Sequence, residues 1–319
     1  MQIKWGVLLP TFDPLGQGTP PVAAAARCAE QLGFDALWAG DHLISHPPVL
    51  DSLCALSAAA AVTSRIELGV GVLQLSNAYL DGSDLRARSL HWAQHLAIRA
   101  NEAVWVATLS GTRVIVLHHV FRPDNTVQIL EVLPALLRGE PVDHPGPLAP
   151  VRVPGLRPAV SSLPRLSVGG RSDAALRRAA RYGDQWMGIW LGAGTVRSCA
   201  DRLAALAASC GRPAPSVAML VLVNVDGDTE TARRGAAELV QGQYRMPLEM
   251  IERWTAYGPA GTVAGMLREY AEAGVSEFVL MPASGDPLGQ YERLAEVREL
   301  VRTGSVPLKH QASRSGPDG

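Results

Sequence analysis

Residues 164–190 read PRLSVGGRSDAALRRAARYGDQWMGIW, and the parsing of the whole chain follows from them. The run Leu166-Ser167-Val168 reads as a short buried strand, ended by Gly169 and Gly170. Arg171 and Ser172 lead into an alanine- and arginine-rich helix that Gly183 stops after Tyr182, and a second strand runs from Gln185 to Trp190. A strand that ends in two glycines and feeds a helix is a natural anion site. The N–H groups of the first helical turn lack partners, and glycine lets an oxygen-rich ligand approach the backbone. Arg171 adds a permanent, forked charge suited to phosphate. The same residues have a plainer reading, with Ser172 as an N-cap and the glycines as an ordinary strand-to-helix turn. Asp173 competes for the positive helix end.

Outward from this stretch the alternation repeats. Strands are predicted near 3–9, 35–39, 66–73, 113–117, 165–169, 185–190, 217–225 and 277–281. Helices are predicted between nearly all of them, the first opened by Pro20-Pro21 and closed at Gly33. A further helix is expected over 85–100, and 141–164 reads as a long proline-rich surface connection. Short apolar strands alternating with helices argue for a parallel sheet covered by helices. Eight such units in about 300 residues fit an α/β fold of the (β/α)8 TIM-like barrel type, in one domain over 1–302, with 303–319 a polar, disordered tail. A barrel places function at the C-terminal strand ends: Pro10-Thr11, Asp41-His42, Leu73-Gln74, His118-His119, Gly169-Gly170, Trp190 and Met281-Pro282. Gly69 and Gly71, inside the third strand, suggest a bulge or a close backbone approach to a ligand.

Composition bounds the function. Apolar residues make up 47% and charged residues 18%, with a net charge of −1, so no nucleic-acid surface is expected. No run reaches the ~20 apolar residues that cross a bilayer, and no signal-peptide pattern opens the chain. Cys28, Cys54, Cys199 and Cys210 form no close pair and read as thiols of a reducing compartment, so a cytoplasmic location is expected.

Several segments resemble the bacterial luciferase-like monooxygenase superfamily, particularly its actinobacterial branch that uses the deazaflavin F420 or FMN. They are GFDALWAGDHL (33–43), TSRIELGVGVL (63–73), VGGRSDAALRRAARYGDQWM (168–187) and YGPAGTVAGMLREYAEAGVSEFVLMP (257–282). The resemblance implies a flavin or deazaflavin at the C-terminal rim, with its phosphate at Gly169-Gly170-Arg171-Ser172. Asp41 and His42 then line the ring, and His42 is the catalytic candidate, a proton donor or acceptor of the imidazole type. Val70-Gly71-Val72 takes the place of a strand bulge that the family sets against the ring. The implied activity is hydride transfer between the bound ring and a small organic substrate, or oxygen activation if the cofactor is FMN. Composition suited to an actinobacterial host tilts the expectation to F420. Many family members pair through helices flanking the early strands, so a homodimer stands among the expected partners.

Residues 76–120 depart from the family pattern. Only Leu109-Ser110-Gly111-Thr112-Arg113 is similar to it, and Leu117-His118-His119 replaces the glycines of the fourth strand. Local divergence and a compensated pair of reading-frame shifts both account for this, and the family's acidic residue of the fourth strand cannot be carried over to a position here. A catalytically impaired flavin-binding barrel is therefore the alternative function. His91 and His95 stand four apart and, with His118-His119, raise a metal-dependent hydrolase as a remote third; no carboxylate at a usual spacing completes the set, so no metal is expected.

Overall fold

A computed structural model describes residues 3–41, 47–72, 104–110, 113–120, 123–145, 150–155, 157, 159–160 and 163–304; for 41 and 71–129 the description covers the backbone alone. In chain order the elements are β1 (Lys4–Leu8), α1 (Val22–Gln31), β2 (Ala36–Asp41), α2 (Ser52–Ala60), β3 (Glu67–Val72), β4 (Val104–Ser110) and β5 (Arg113–Val120). Next come α3 (Pro123–Leu137), β6 (Val142–His144), β7 (Val151–Val153), β8 (Ser167–Gly169), α4 (Asp173–Tyr182), β9 (Gln185–Ile189) and α5 (Ala193–Ser209). Then follow β10 (Ser216–Val225), α6 (Thr229–Tyr244), β11 (Ala256–Gly258), α7 (Ala260–Glu272), β12 (Glu277–Pro282) and α8 (Pro287–Thr303). Two 3-10 turns, Leu248–Met250 and Glu252–Trp254, lie between α6 and β11.

The chain divides into two compact units, one of residues 1–70, 190–196 and 219–319, the other of 71–189 and 197–218. In the first, neighbouring strands follow the order β3-β2-β1-β12-β10, with β11 beside β10. β1 pairs parallel with β2 (Val7 opposite Leu37) and with β12 (Val7 opposite Leu280). One face of these strands is sealed by helices, so Val7, Leu37, Phe278 and Leu280 have no exposed surface. Each such side chain contributes roughly 1.5–3 kcal/mol by leaving water. β10 is buried at every position after Ser216, as expected of a parallel strand covered on both faces. A buried amide pair closes the unit: Gln290 Nε2 donates to Asn224 Oδ1 (2.9 Å) and to Val225 O (3.0 Å), while Val225 N donates to Gln290 Oε1 (2.8 Å).

In the second unit β8 and β9 pair parallel, Val168 opposite Trp186. β4 and β5 form a separate two-stranded antiparallel sheet, from Val104 opposite Val120 to Ser110 opposite Arg113. This corrects the expectation that 113–117 is a parallel barrel strand. Two residues separate β4 from β5, a connection that joins antiparallel neighbours, whereas parallel ones need a crossover of about a dozen. The proline-rich excursion holds a hairpin of its own, β6 on β7, with Val142 opposite Val153. The helix expected at 85–100 lies outside the described residues, as does nearly all of the expected tail, from residue 305 onward.

Candidate active site

The turn after β8 is a strand-to-helix turn with Ser172 at its cap. Gly170 has φ +110°, and a Cβ there would stand 2.8 Å from that of Ala175, so only glycine fits. Ser172 is an N-cap: its Oγ accepts from Ala175 N at 3.2 Å, and its carbonyl accepts from Leu176 N. The N–H groups of Asp173 and Ala174 remain as the open donors of α4. Beneath the turn, the fully buried Trp186 donates its indole N–H to Gly170 O at 2.7 Å and pins the loop. Sequence reading overlooked this contact, although Trp186 stands inside the quoted stretch.

Asp173 does not leave the turn acidic. Its carboxylate lies 3.8 Å from Arg177 and 4.0 Å from Arg202, which α5 carries in from 29 residues further along. Both pairs are exposed and add little stability. Their effect is electrostatic: Arg177 and Arg202 flank one carboxylate at a helix N-terminus, two residues after Arg171. The exposed glycine cradle, the open donors and the excess positive charge fit a phosphoryl group.

In the first unit, Trp38 lies across the sheet on the side away from the covering helices. A Cβ on Gly69 would come within 2.7 Å of its ring and one on Gly6 within 3.0 Å of Nε1. Gly69 thus makes room for Trp38, a packing reason for a glycine that the sequence suggested was open to a ligand. Strand alternation turns Val70, which is 40% exposed, away from that side. Gly71 and Val72 continue β3, and Asp41 ends β2; their side chains, and the whole of His42, lie outside the described residues.

The C-terminal ends of β1 and β12 enclose a cleft of about 60 Å³ lined by Leu9, Pro10, Phe12, Gln243, Met281 and Pro282, among others. It holds a few water-sized groups, far less than the several hundred Å³ of a cofactor pocket. Among the described residues of this unit, Thr11 Oγ1, Trp38 Nε1 and Trp190 Nε1 are buried polar atoms without a hydrogen-bond partner. Trp190 meets Tyr244 edge-on at 5.8 Å, and Tyr244 OH approaches Met281 Sδ at 3.5 Å. Among the described residues no group of three or more His, Cys, Asp and Glu side chains could hold a metal. His91 and His95 lie outside the description, and of His118 and His119 only the backbone is described.

A family model described as luciferase-like monooxygenase matches residues 3–79 and 105–303. Its break, 80–104, falls inside the atypical span. Among solved structures, an F420-dependent secondary alcohol dehydrogenase bound to an F420–acetone adduct superposes with a TM-score of 0.70 at 18% identity, over 95% of this chain and 100% of that one. A riboflavin lyase with modified FMN and riboflavin gives 0.66 at 14% identity, over 95% and 92%. At such identities the likeness shows the fold, an α/β TIM-like architecture. Among curated proteins, the glycerol operon regulatory protein of Streptomyces griseus is 46% identical over 70 residues, which are 22% of this chain. The chain spans 28% of the length of that regulator.

Proposed function

Because this chain belongs to the luciferase-like monooxygenase family, we propose that it is an oxidoreductase dependent on F420 or FMN and acting on a small organic substrate. The observation that carries the reading is the turn Gly169-Gly170-Arg171-Ser172, which fits the phosphoryl end of such a cofactor. There the N–H groups at the start of α4 donate to phosphate oxygens, Arg171 and Arg202 supply charge, and Trp186 holds the loop in shape. The bound ring would supply the hydride or oxygen chemistry; the protein supplies binding and orientation. By resemblance, Asp41, Gly71 and Val72 line the ring and His42 holds the proton that is exchanged beside it, with Val70 contributing backbone. No described helix is long and apolar enough to cross a membrane.

The test is to purify the chain from a host that makes F420, record the absorbance of what comes with it, and titrate the stripped protein with F420 and FMN. F420 is the first cofactor to try, on the compositional ground given above. Binding of neither would end the reading. His42→Asn is expected to keep cofactor affinity while lowering turnover roughly a hundredfold; unchanged turnover would remove His42 from the catalytic role.

One observation favours a second reading, a barrel that binds cofactor without turnover. Where the family places a parallel fourth strand, this chain has the antiparallel pair β4–β5. Cofactor binding with no turnover on any substrate would favour this reading over the first.

A further inference from the structure

Residues 171–182 carry four arginines and one aspartate in a chain whose net charge is −1. Arg178 is half-buried, whereas Arg171, Asp173, Arg177 and Arg181 are exposed. Asp173, Arg177 and Arg181 follow one another at intervals of four on α4, and residues at that spacing share one helix face. At about 1.5 Å per residue the row runs roughly 12 Å along the helix, away from the turn after β8. Asp173 sits at the near end, 3.8 Å from Arg177 and 4.0 Å from Arg202. Both distances exceed a hydrogen bond, so the arginine donors stay open. At the far end Arg181 lies over the Tyr182 ring, 5.2 Å from its centre. The carboxylate its charge reaches, Glu131 of α3, is already engaged by Tyr182 and His144.

This row is longer than the group placed at the turn. A phosphoryl group there is met by the open N–H groups of α4 and by Arg171. Arg177 and Arg181 stand one and two helical turns further on, and no acid follows Asp173 on α4. A guanidinium stays charged, and its fork matches a carboxylate. Arginines one turn apart on an exposed helix face therefore suit a chain bearing several carboxylates in series, where a single small ion would meet only one of them.

We propose that Arg177 and Arg181 form a subsite for a carboxylate-bearing tail that continues from the phosphoryl group of the cofactor. This deepens the oxidoreductase reading, rests on it for the ligand, and separates its two cofactors. In F420 the phosphate is a diester that continues into a chain of glutamates; in FMN it ends the molecule. The subsite therefore favours F420. The double variant Arg177→Gln/Arg181→Gln changes two exposed side chains and is expected to melt within a few degrees of wild type. At low salt its affinity for F420 is expected to fall about three- to tenfold, and its affinity for FMN by less than about twofold. The F420 difference should vanish near 1 M salt, where charges are screened within about 3 Å.

Equal losses for F420 and FMN would put both arginines at the phosphate and overturn the tail subsite, as would no loss for either. A wild type that binds FMN and not F420 also overturns it, while the oxidoreductase reading stands. If the wild type binds neither, that reading fails by itself, and γ-linked tetraglutamate then decides. Displacement of α4 backbone ¹⁵N–¹H resonances in the wild type and not in the double variant sustains the subsite, and no displacement overturns it. Single-stranded DNA of equal charge binding as tightly as the tetraglutamate would mark a general polyanion surface and overturn it too.

Discussion

Gly170 shows how much a single backbone angle decides. At φ +110° any L side chain is strained, and its Cβ would overlap Ala175. Gly170→Ala is expected to cost ~1–3 kcal/mol in urea unfolding and to weaken FMN or F420 binding further by displacing the turn. Unchanged binding in a folded variant would separate the turn from the cofactor. Gly69 makes the complementary point. Both glycines interrupt a strand pattern, but one frames an exposed turn and the other accommodates Trp38, and only the three-dimensional neighbours tell them apart. The Trp186 and Trp190 indoles differ in the same way, one bonded and one not, although both stand within the same quoted stretch.

Among elements, α3, α4 and the β6–β7 hairpin are joined by one carboxylate. Glu131 on α3 accepts from Tyr182 OH at 2.7 Å and lies 3.1 Å from His144 Nε2. The hydrogen bond from Tyr182, and then that from His144, lowers the Glu131 pKa below its ordinary 4.5. A depressed carboxylate pKa means stability that is present above the unfolded value and lost as pH falls through the folded one. Urea unfolding followed downward from about pH 5 is therefore expected to show a loss of stability that Glu131→Gln reduces; identical pH curves would refute it. Helix starts follow local chemistry: Asp51, Asp228 and Asp286 cap α2, α6 and α8, as Ser172 caps α4. Strand pairing does not, and β5 shows it. An apolar run of that length suits a parallel barrel strand or half of a hairpin equally, until its partner β4 is found.

For the whole molecule the decisive measurement is ligand-linked stability. A cofactor that binds only the folded chain adds about 2.7 kcal/mol at a hundredfold excess over Kd. F420 or FMN at that level should raise the melting temperature by several degrees, and Gly170→Ala should blunt the rise. A melting temperature that does not respond to either would count against cofactor binding by the intact chain. The sequence by itself determined the α/β alternation, the start of α1 and the ends of α1 and α4, the glycine turn with its serine cap, and the break in pattern at 76–120. These are legible because side-chain period, capping and turn chemistry act within a few residues. Tertiary structure alone decided that Arg202 reaches Asp173, that Trp38 fills the space left by Gly6 and Gly69, that β4 pairs with β5, and that the Trp190 indole is buried with no hydrogen-bond partner among the described residues. Each depends on which distant segments become neighbours, which is set by burial and register across the fold and leaves no periodic mark in the chain.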